Sequence, residues 1–257
     1  AGAETNFHLP KRSEIESKIT KKTRAILYCS PGNPTGAVYT KEEVEMLVSI
    51  ARDNNLFLIS DEVYREYIFE GEHTSLLSYF DEIPSNAILL DSLSKRYSLC
   101  GARLGIIASK NEELMKGIVK LAQTRLSVGL IDQEMASVMN EVPDSYIEDV
   151  RNEYKKRRNV LYKGLTGIKG IKMAKPEGAF YSMVKLPVED AEDFAIFLLK
   201  EFRINNETVM VAPGSGFYGT PGKGKNEVRI AYVLKSEDLK RAINIIRLGL
   251  EKYKKKD

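Results

Sequence analysis

A lysine flanked by hydroxyl side chains follows directly on an apolar segment of this sequence. The segment AILLDS (87–92) ends in Ser92, and Ser94 and Lys95 come next in the chain. A lysine amine that is partly desolvated near other cations loses its proton more easily, and the neutral amine can form a Schiff base with an aldehyde. Lys95 is therefore the candidate for covalent chemistry.

The polar residues around this lysine are those that a phosphate group requires. Ser92 and Ser94 offer hydroxyl donors, and Arg103, eight residues beyond Lys95, offers a planar guanidinium fork. One phosphate-bearing aldehyde would use all four side chains.

Two other apolar segments lead into polar residues of complementary chemistry. RAILYCS (24–30) precedes a turn that contains Asn33, and LFLIS (56–60) precedes Asp61 and Tyr64. Asp61 can keep a ring nitrogen protonated by charge pairing, and Tyr64 and Asn33 can donate to a phenolate-like oxygen. Together with the lysine and the phosphate ligands, this set matches pyridoxal phosphate.

Each of these residues also has an ordinary structural interpretation. A lysine after a strand is usually solvated, an aspartate in that place usually caps a helix, and NPTG is usually a turn. The ordinary interpretation is favoured for any one residue taken alone. Their joint occurrence at consecutive strand ends favours the cofactor.

The segments that must position these residues predict an α/β fold. Between 24–30 and 56–60, the segment TKEEVEMLVSIARDNN has a capping box, Thr40 with Glu43, and apolar residues at helical spacing. RLGIIAS (103–109) matches the other apolar segments. Apolar strands separated by amphipathic helices predict a mostly parallel sheet with helices on both faces. Because such sheets bind ligands at the carboxyl ends of their strands, we expect the candidate side chains to converge there.

The sequence pattern changes near residue 145, from short apolar segments to a long charged segment, and this change predicts a domain boundary. IEDVRNEYKKRRNVLYKGL predicts a long charged helix that connects two domains. Beyond it, GAFYSMVKL, TVMVAP and EVRIAYV predict strands, and AEDFAIFLLKEF and a last segment from Ser236 to about Lys252 predict helices. The predicted domains are residues 1–145 and a smaller C-terminal α/β domain, residues 146–257.

Four motifs in this order resemble those of the class I/II pyridoxal-phosphate aminotransferases of the aspartate aminotransferase type. They are SPGNPTG, SDEVY, SLSKRYSLCGARLG and VRIAYV. The resemblance covers essentially the whole chain and implies the type I fold of PLP-dependent transferases. It further implies that the chain is the C-terminal portion of such an enzyme, with the N-terminal part of the family fold absent. A homodimer that binds pyridoxal 5′-phosphate is implied as well.

The resemblance assigns roles at the cofactor ring. Lys95 forms the Schiff base with the cofactor and later moves the proton of the substrate α-carbon. Asp61 pairs with the pyridine nitrogen, Tyr64 and Asn33 bind the ring oxygen O3′, and Val63 packs on one face of the ring.

The remaining roles concern the phosphate and the substrate. By resemblance, Ser92, Ser94 and Arg103 hold the phosphate, while Arg229 grips the substrate α-carboxylate with Asn33 close by. The implied reaction moves an amino group between an L-amino acid and a 2-oxo acid. Aspartate with 2-oxoglutarate is the favoured pair, and aromatic amino acids, alanine and kynurenine stay open.

Two other functions stay open at the level of sequence. The same lysine, aspartate and arginine serve PLP-dependent lyases, although Arg229 and the NPTG motif favour transamination. The chain can also be a non-catalytic fragment that lacks the N-terminal part of the site.

GSGFYG (214–219) and GTPGKGKN (219–226) resemble nucleotide-binding loops, but neither is followed by a predicted helix. A glycine-rich loop near the active site is therefore the better interpretation.

The composition argues against several further classes. The 257 residues include 39 basic and 36 acidic ones, a net charge of +3, which predicts no nucleic-acid partner. Two cysteines without metal-ligand spacing and two histidines, His8 and His73, predict no metal site, and we interpret both histidines as surface residues. No apolar run approaches the ~20 residues of a membrane span, so we expect a cytoplasmic protein without membrane contact.

Overall fold

The computed structural model describes residues 2–253, and the chain divides into two compact units. The first unit comprises His8–Gly32 and Val38–Asp149, and the second unit comprises the residues up to Phe7, Asn33–Ala37 and Val150–Asp257. None of the helices within residues 2–253 is long and apolar enough to cross a membrane.

The first unit is built on a four-stranded sheet in the order β1-β2-β3-β4. The first three strands pair in parallel, and β4 pairs antiparallel with β3. The elements in chain order are α1 (Arg12–Glu16), β1 (Ala25–Cys29), α2 (Lys41–Asp53), β2 (Phe57–Asp61), β3 (Ala87–Ser92), α3 (Leu93–Arg96), β4 (Gly105–Ala108), α4 (Glu112–Arg125) and α5 (Leu130–Ser137).

Helix α2 covers one face of this sheet. Its buried apolar residues, among them Val44, Leu47 and Val48, lie in one core cluster with Leu58 of β2 and Leu89 of β3. The helix begins at the predicted capping box, in which the Thr40 side chain accepts a hydrogen bond from the backbone N of Glu43 and the Glu43 side chain accepts one from the backbone N of Thr40. The apolar stripe of α2 and the backbone cap at its first turn together fix the helix on the sheet.

The mostly parallel α/β sheet predicted from the sequence is confirmed, and its two edge strands, β1 and β4, have exposed apolar side chains. Leu27 of β1 is 67% exposed, and Ile106 and Ile107 of β4 are 45% and 42% exposed. An apolar segment predicts a strand but does not show whether that strand lies at the centre or at the edge of the sheet.

The second unit carries an antiparallel sheet in the order β5-β6-β8-β7. The long charged helix α6 begins in the first unit and continues into the second. The elements are α6 (Asp144–Thr166), β5 (Lys172–Met173), β6 (Tyr181–Lys185), α7 (Ala191–Lys200), β7 (Ala212–Pro213), β8 (Glu227–Ala231) and α8 (Ser236–Tyr253).

The prediction of a strand over TVMVAP in the second unit is largely wrong. In TVMVAP only Ala212 and Pro213 pair with β8. At the start of this segment the Thr208 hydroxyl donates to the carbonyl of Leu198 at 2.6 Å, and Met210 is 81% exposed. The segment therefore leaves the edge of the sheet, where no neighbouring strand extends the pairing.

The two histidines are not the isolated surface residues that the sequence suggests. The His73 side chain is 14% exposed, and its Nε2 lies 2.9 Å from Oε2 of the buried Glu62. His8 Nδ1 lies 2.8 Å from Oε2 of Glu43. Both carboxylates are distant in sequence, so the pairs could not be recognised before the fold was known.

Candidate functional site

The candidate cofactor residues of the first unit follow two neighbouring parallel strands. Asp61, the last residue of β2, lies opposite Leu90 of β3 in the ladder. Because the strands are parallel, the chain leaves the sheet at the same edge after both of them. The first unit contains seven of the predicted site residues, which are Asp61, Val63, Tyr64, Ser92, Ser94, Lys95 and Arg103.

The Asp61 carboxylate is half-buried at this edge. Its Oδ1 accepts a hydrogen bond from the backbone N of Val63 at 3.2 Å. Burial raises the pKa of Asp61, the Val63 hydrogen bond lowers it, the negative charges of Asp91 and Glu62 raise it further, and the positive charge of Lys95 lowers it. Asp61 and Lys95 are thus electrostatically coupled, and a cationic ligand would stabilise the ionised carboxylate.

Lys95 lies in the short helix α3, and its backbone is held by a residue that the sequence did not single out. The hydroxyl of Tyr67 donates to the Lys95 carbonyl oxygen at 2.6 Å, and Tyr67 is only 2% exposed. The predicted ligand Tyr64, three residues earlier, is also buried, at 3% exposure. The last residue of β2 therefore supplies the acid of the site, and the turn after it supplies a contact that fixes the lysine backbone.

The two serines that precede Lys95 lie side by side. Ser92 Oγ is 2.8 Å from Ser94 Oγ and accepts a hydrogen bond from the backbone N of Ser94 at 3.0 Å. Ser92 is also the N-cap of α3, and its hydroxyl lies 3.0 Å from the Leu104 carbonyl oxygen. Two adjacent hydroxyls are a suitable pair of donors for one anionic group.

Arg103 is exposed and is not joined to these serines. Its guanidinium Nη1 donates to the carbonyl oxygen of Cys100 at 2.9 Å, within its own turn. Between residues 2 and 253 no hydrogen bond from Arg103 reaches Ser92 or Ser94. The predicted phosphate ligands thus form a serine pair and a separate arginine in this structure.

The neighbouring Arg96 has different contacts from Arg103. Its Nη2 lies 2.6 Å from Oδ2 of Asp91, and the two side chains are 19% and 9% exposed. This ion pair partly neutralises the Asp91 charge that acts on Asp61. The spacing of Asp91 and Arg96 gave no signal of it, because the two residues belong to different elements.

The second unit contains the other two predicted residues, Asn33 and Arg229. Arg229 lies on β8, and its Nη1 donates to Oδ1 of Asn33 at 3.0 Å. The guanidinium carbon lies 4.8 Å from the ring centroid of Tyr181 and 4.9 Å from that of Phe217. Two aromatic rings and one amide therefore hold the guanidinium, and its other N–H groups can donate to a carboxylate.

The loop that carries Phe217 is held to β8 by one side-chain hydrogen bond and one backbone hydrogen bond. The Tyr218 hydroxyl donates to Oε2 of Glu227 at 2.5 Å, and the backbone N of Gly214 donates to the Glu227 carbonyl at 2.7 Å. Gly224 has a φ of +72°, and a Cβ there would lie 2.4 Å from the Tyr218 ring. Only glycine fits at this position, which explains part of the glycine content of GSGFYGTPGKGK.

Comparison with known proteins identifies the family. The family model for aminotransferase class I and II matches residues 3–246. The chain belongs to this family. An aspartate aminotransferase of Bacillus sp. (strain YM-2) is 32% identical to this aminotransferase-family chain over 255 residues, which are 96% of the chain and 62% of the relative.

Solved structures of this family agree in fold. Aspartate aminotransferase from Thermus thermophilus with maleate superimposes with a TM-score of 0.82 at 30% identity, covering 96% of this chain and 62% of the other. Alanine aminotransferase from Pyrococcus furiosus gives a TM-score of 0.82 at 30% identity, covering 98% and 63%. The predicted aminotransferase family and its type I fold are confirmed. The chain spans less than two thirds of the length of these relatives.

Proposed function

We propose that the chain takes part in pyridoxal-phosphate-dependent transamination between an L-amino acid and a 2-oxo acid. One observation carries the proposal, namely a half-buried carboxylate, Asp61, that is coupled to Lys95 at the edge of the sheet where the Ser92 and Ser94 hydroxyls also lie. An acid for a ring nitrogen, an amine for an aldehyde and hydroxyls for a phosphate are the donor set that this cofactor requires.

The residues of the first unit bind the cofactor and handle the proton. Pyridoxal phosphate, when bound, supplies an aldehyde and a ring that accepts electrons from the substrate α-carbon. Lys95 would hold the cofactor through Nζ, and the same nitrogen, when free, would take the proton of the substrate α-carbon. Asp61 would accept the hydrogen bond of the protonated ring nitrogen, Val63 would pack on the ring, and Tyr64 would donate to the phenolic oxygen.

The remaining residues would bind the phosphate of the cofactor and the carboxylate of the substrate. Ser92, Ser94 and Arg103 would hold the phosphate through their hydroxyl and guanidinium groups. Arg229 binds the substrate α-carboxylate through its fork. Because the Asn33 amide oxygen accepts from Arg229, its NH₂ group is left to donate to the phenolic oxygen or to the carboxylate.

The favoured donor is aspartate, with 2-oxoglutarate as acceptor. The support is that relatives from Bacillus and Thermus carry the name aspartate aminotransferase. An alanine aminotransferase superimposes with the same TM-score, so the amino acid has to be decided by assay. In the reaction the donor leaves as a 2-oxo acid whose carbonyl oxygen comes from water, and the acceptor leaves as an amino acid.

The proposal is tested by locating the lysine that pyridoxal phosphate modifies. The chain is mixed with pyridoxal phosphate, reduced with borohydride and digested, and the labelled peptide is identified by mass. We expect label on Lys95, loss of that label in Lys95→Ala, and normal labelling of Lys95 in the matched variant Lys116→Ala, whose side chain is 76% exposed on α4. Random labelling of surface lysines would contradict the proposal.

The reaction type is tested by adding amino acids singly to the loaded chain. Transamination yields one 2-oxo acid and, with an added acceptor, one new amino acid. Release of ammonia or carbon dioxide without the new amino acid would instead support a lyase. Aspartate is expected to react fastest among aspartate, alanine and an aromatic amino acid.

A homodimer is part of the same proposal. Helices α4 and α5 and the segment between them expose large apolar side chains, each more than half exposed, which are Val119, Leu121, Leu126, Leu130 and Ile131. An exposed apolar surface of this kind is typical of a protein interface. Sedimentation equilibrium should give twice the chain mass, and Leu130→Glu should shift it to the monomer. A monomeric wild-type chain at high concentration would contradict the dimer.

A further inference from the structure

A second carboxylate, Glu62, is buried directly behind Asp61. Glu62 is 0% exposed and follows Asp61 in the chain. Its Oε1 accepts from the backbone N of Leu76 at 2.8 Å and from the Ser60 hydroxyl at 3.0 Å. Its Oε2 accepts from the Ser75 hydroxyl at 2.8 Å and lies 2.9 Å from His73 Nε2. None of these groups has a role in the proposed reaction.

The hydrogen bonds keep this buried carboxylate ionised. Burial alone would raise the pKa of Glu62, but the hydrogen bonds from His73, Leu76 and Ser75 outweigh burial, and the pKa is lowered. A carboxylate that accepts several hydrogen bonds is stabilised as the anion even inside a protein. The turn after β2 therefore contains an ionised carboxylate next to Asp61, in contact with the imidazole of His73.

Glu62 also fixes the backbone on which Asp61 sits. Its own backbone N donates to the Leu90 carbonyl of β3 at 2.9 Å, and its carbonyl accepts from Arg65 N at 2.9 Å. The side chains of His73 and Ser75 and the backbone N of Leu76, which contact the Glu62 carboxylate, lie more than ten residues further along the chain. A single side chain thus joins that loop to the carboxyl end of β2.

His73 is the donor that this arrangement singles out. Its Nδ1 is buried and has no hydrogen-bond partner among the described residues, so its polar contact is made through Nε2. A buried imidazole that uses one nitrogen on a carboxylate and leaves the other unpaired is costly unless the contact serves the structure around it.

We propose that Glu62 and His73 form a positioning pair for Asp61, in which Glu62 anchors the turn and adds a buried negative charge behind the acid, and His73 holds Glu62 in place. This inference rests on the proposed function, because that function gives Asp61 its role at the ring nitrogen. Two adjacent anions retain a protonated ring nitrogen more firmly than one. Neither residue touches the cofactor, so both act through Asp61.

The charged and titratable groups around the pair are few. Tyr28 of β1 faces Glu62, and burial together with that charge raises its pKa. Asp91 of β3 and Lys95 of α3 act on Asp61 with opposite signs. Of these, Glu62 is the negative charge that can be removed without touching a proposed cofactor ligand or the ion pair of Asp91.

The test follows the Asp61 carboxyl group by carbon-13 NMR in the chain without cofactor. In Glu62→Gln the loss of a negative neighbour should shift the Asp61 pKa downwards. Ser75→Ala is the matched control, because it removes one hydrogen bond to Glu62 but keeps the charge, and it should leave the Asp61 pKa unchanged. An unshifted Asp61 in Glu62→Gln, or an equal downward shift in Ser75→Ala, would overturn the proposal.

A second measurement uses His73 and does not depend on the folding of Glu62→Gln. His73→Ala should weaken pyridoxal phosphate binding by about tenfold, since a hydrogen bond to a buried charge is lost. His73→Gln should restore binding because its amide can donate from the position of Nε2. Equally weak binding in both variants would contradict the pair. If the wild-type chain does not bind pyridoxal phosphate, the proposed function fails, while the NMR result still decides the pair.

Discussion

Replacing Tyr67 by phenylalanine tests how the backbone of Lys95 is held. The hydroxyl lies 2.6 Å from the Lys95 carbonyl oxygen, and the residue is 2% exposed, so water cannot easily take the place of the lost donor. Phenylalanine fills the same space and removes the hydrogen bond from the hydroxyl to Lys95. Removing one partner of a buried hydrogen bond costs about 1–3 kcal/mol. The free energy of unfolding should fall by about that amount.

The assay is urea unfolding followed by circular dichroism, with the slope of the free energy against urea unchanged. Tyr79→Phe is the matched control, because its hydroxyl makes a 3.3 Å contact with Glu45, whose side chain is 47% exposed. That variant should lose less than about 0.5 kcal/mol. Schiff-base formation at Lys95 should also slow in Tyr67→Phe but not in Tyr79→Phe. Equal losses of stability in the two variants would refute the reasoning.

Three further predictions concern charge, packing and carboxylate binding. Burial raises the pKa of Asp61, so its contribution to stability is present at low pH and is lost as the pH rises through its folded pKa. Asp61→Asn should therefore be at least as stable as the wild type at pH 7 in thermal unfolding, yet inactive in turnover, and normal turnover would contradict its role. Leu47→Ala in the core should lower the free energy of unfolding by about 2–5 kcal/mol in urea titrations, whereas a loss below about 1 kcal/mol would contradict the packing of α2. Arg229→Lys keeps the charge but loses the fork, so kcat/KM for the amino acid should fall about 10–100-fold, mainly through KM, and an unchanged KM would contradict the carboxylate role.

The parts of the fold that the sequence predicted are those governed by local pattern. The apolar segments of β1, β2 and β3 and the capping box of α2 each carry their signal within a few residues. The antiparallel direction of β4 depends instead on how the chain returns after Arg103, and apolar content does not encode it. TVMVAP has strand composition but pairs only at Ala212 and Pro213, because pairing requires a neighbour as well as a propensity.

In the site, too, residues with a local sequence pattern were predicted and residues that act through distant contacts were missed. The order of Asp61, Lys95 and the two serines after successive strands predicted a shared site, and the structure places them at one edge of the first sheet. Tyr67 was missed, because a hydroxyl that donates to the backbone of a residue 28 positions away leaves no local pattern. Glu62 and His73 were missed for the same reason, since charge burial appears only after the loop has folded onto β2.

A crystal structure of the chain with pyridoxal phosphate would show whether Lys95, Asp61 and the two serines bind one cofactor molecule. We predict continuous density from Lys95 Nζ to the cofactor, a distance of about 2.7–3.0 Å from an Asp61 carboxylate oxygen to the ring nitrogen, and the phosphate on Ser92 and Ser94. Cofactor bound elsewhere, or an unmodified Lys95 with Asp61 facing away from the ring, would contradict the account.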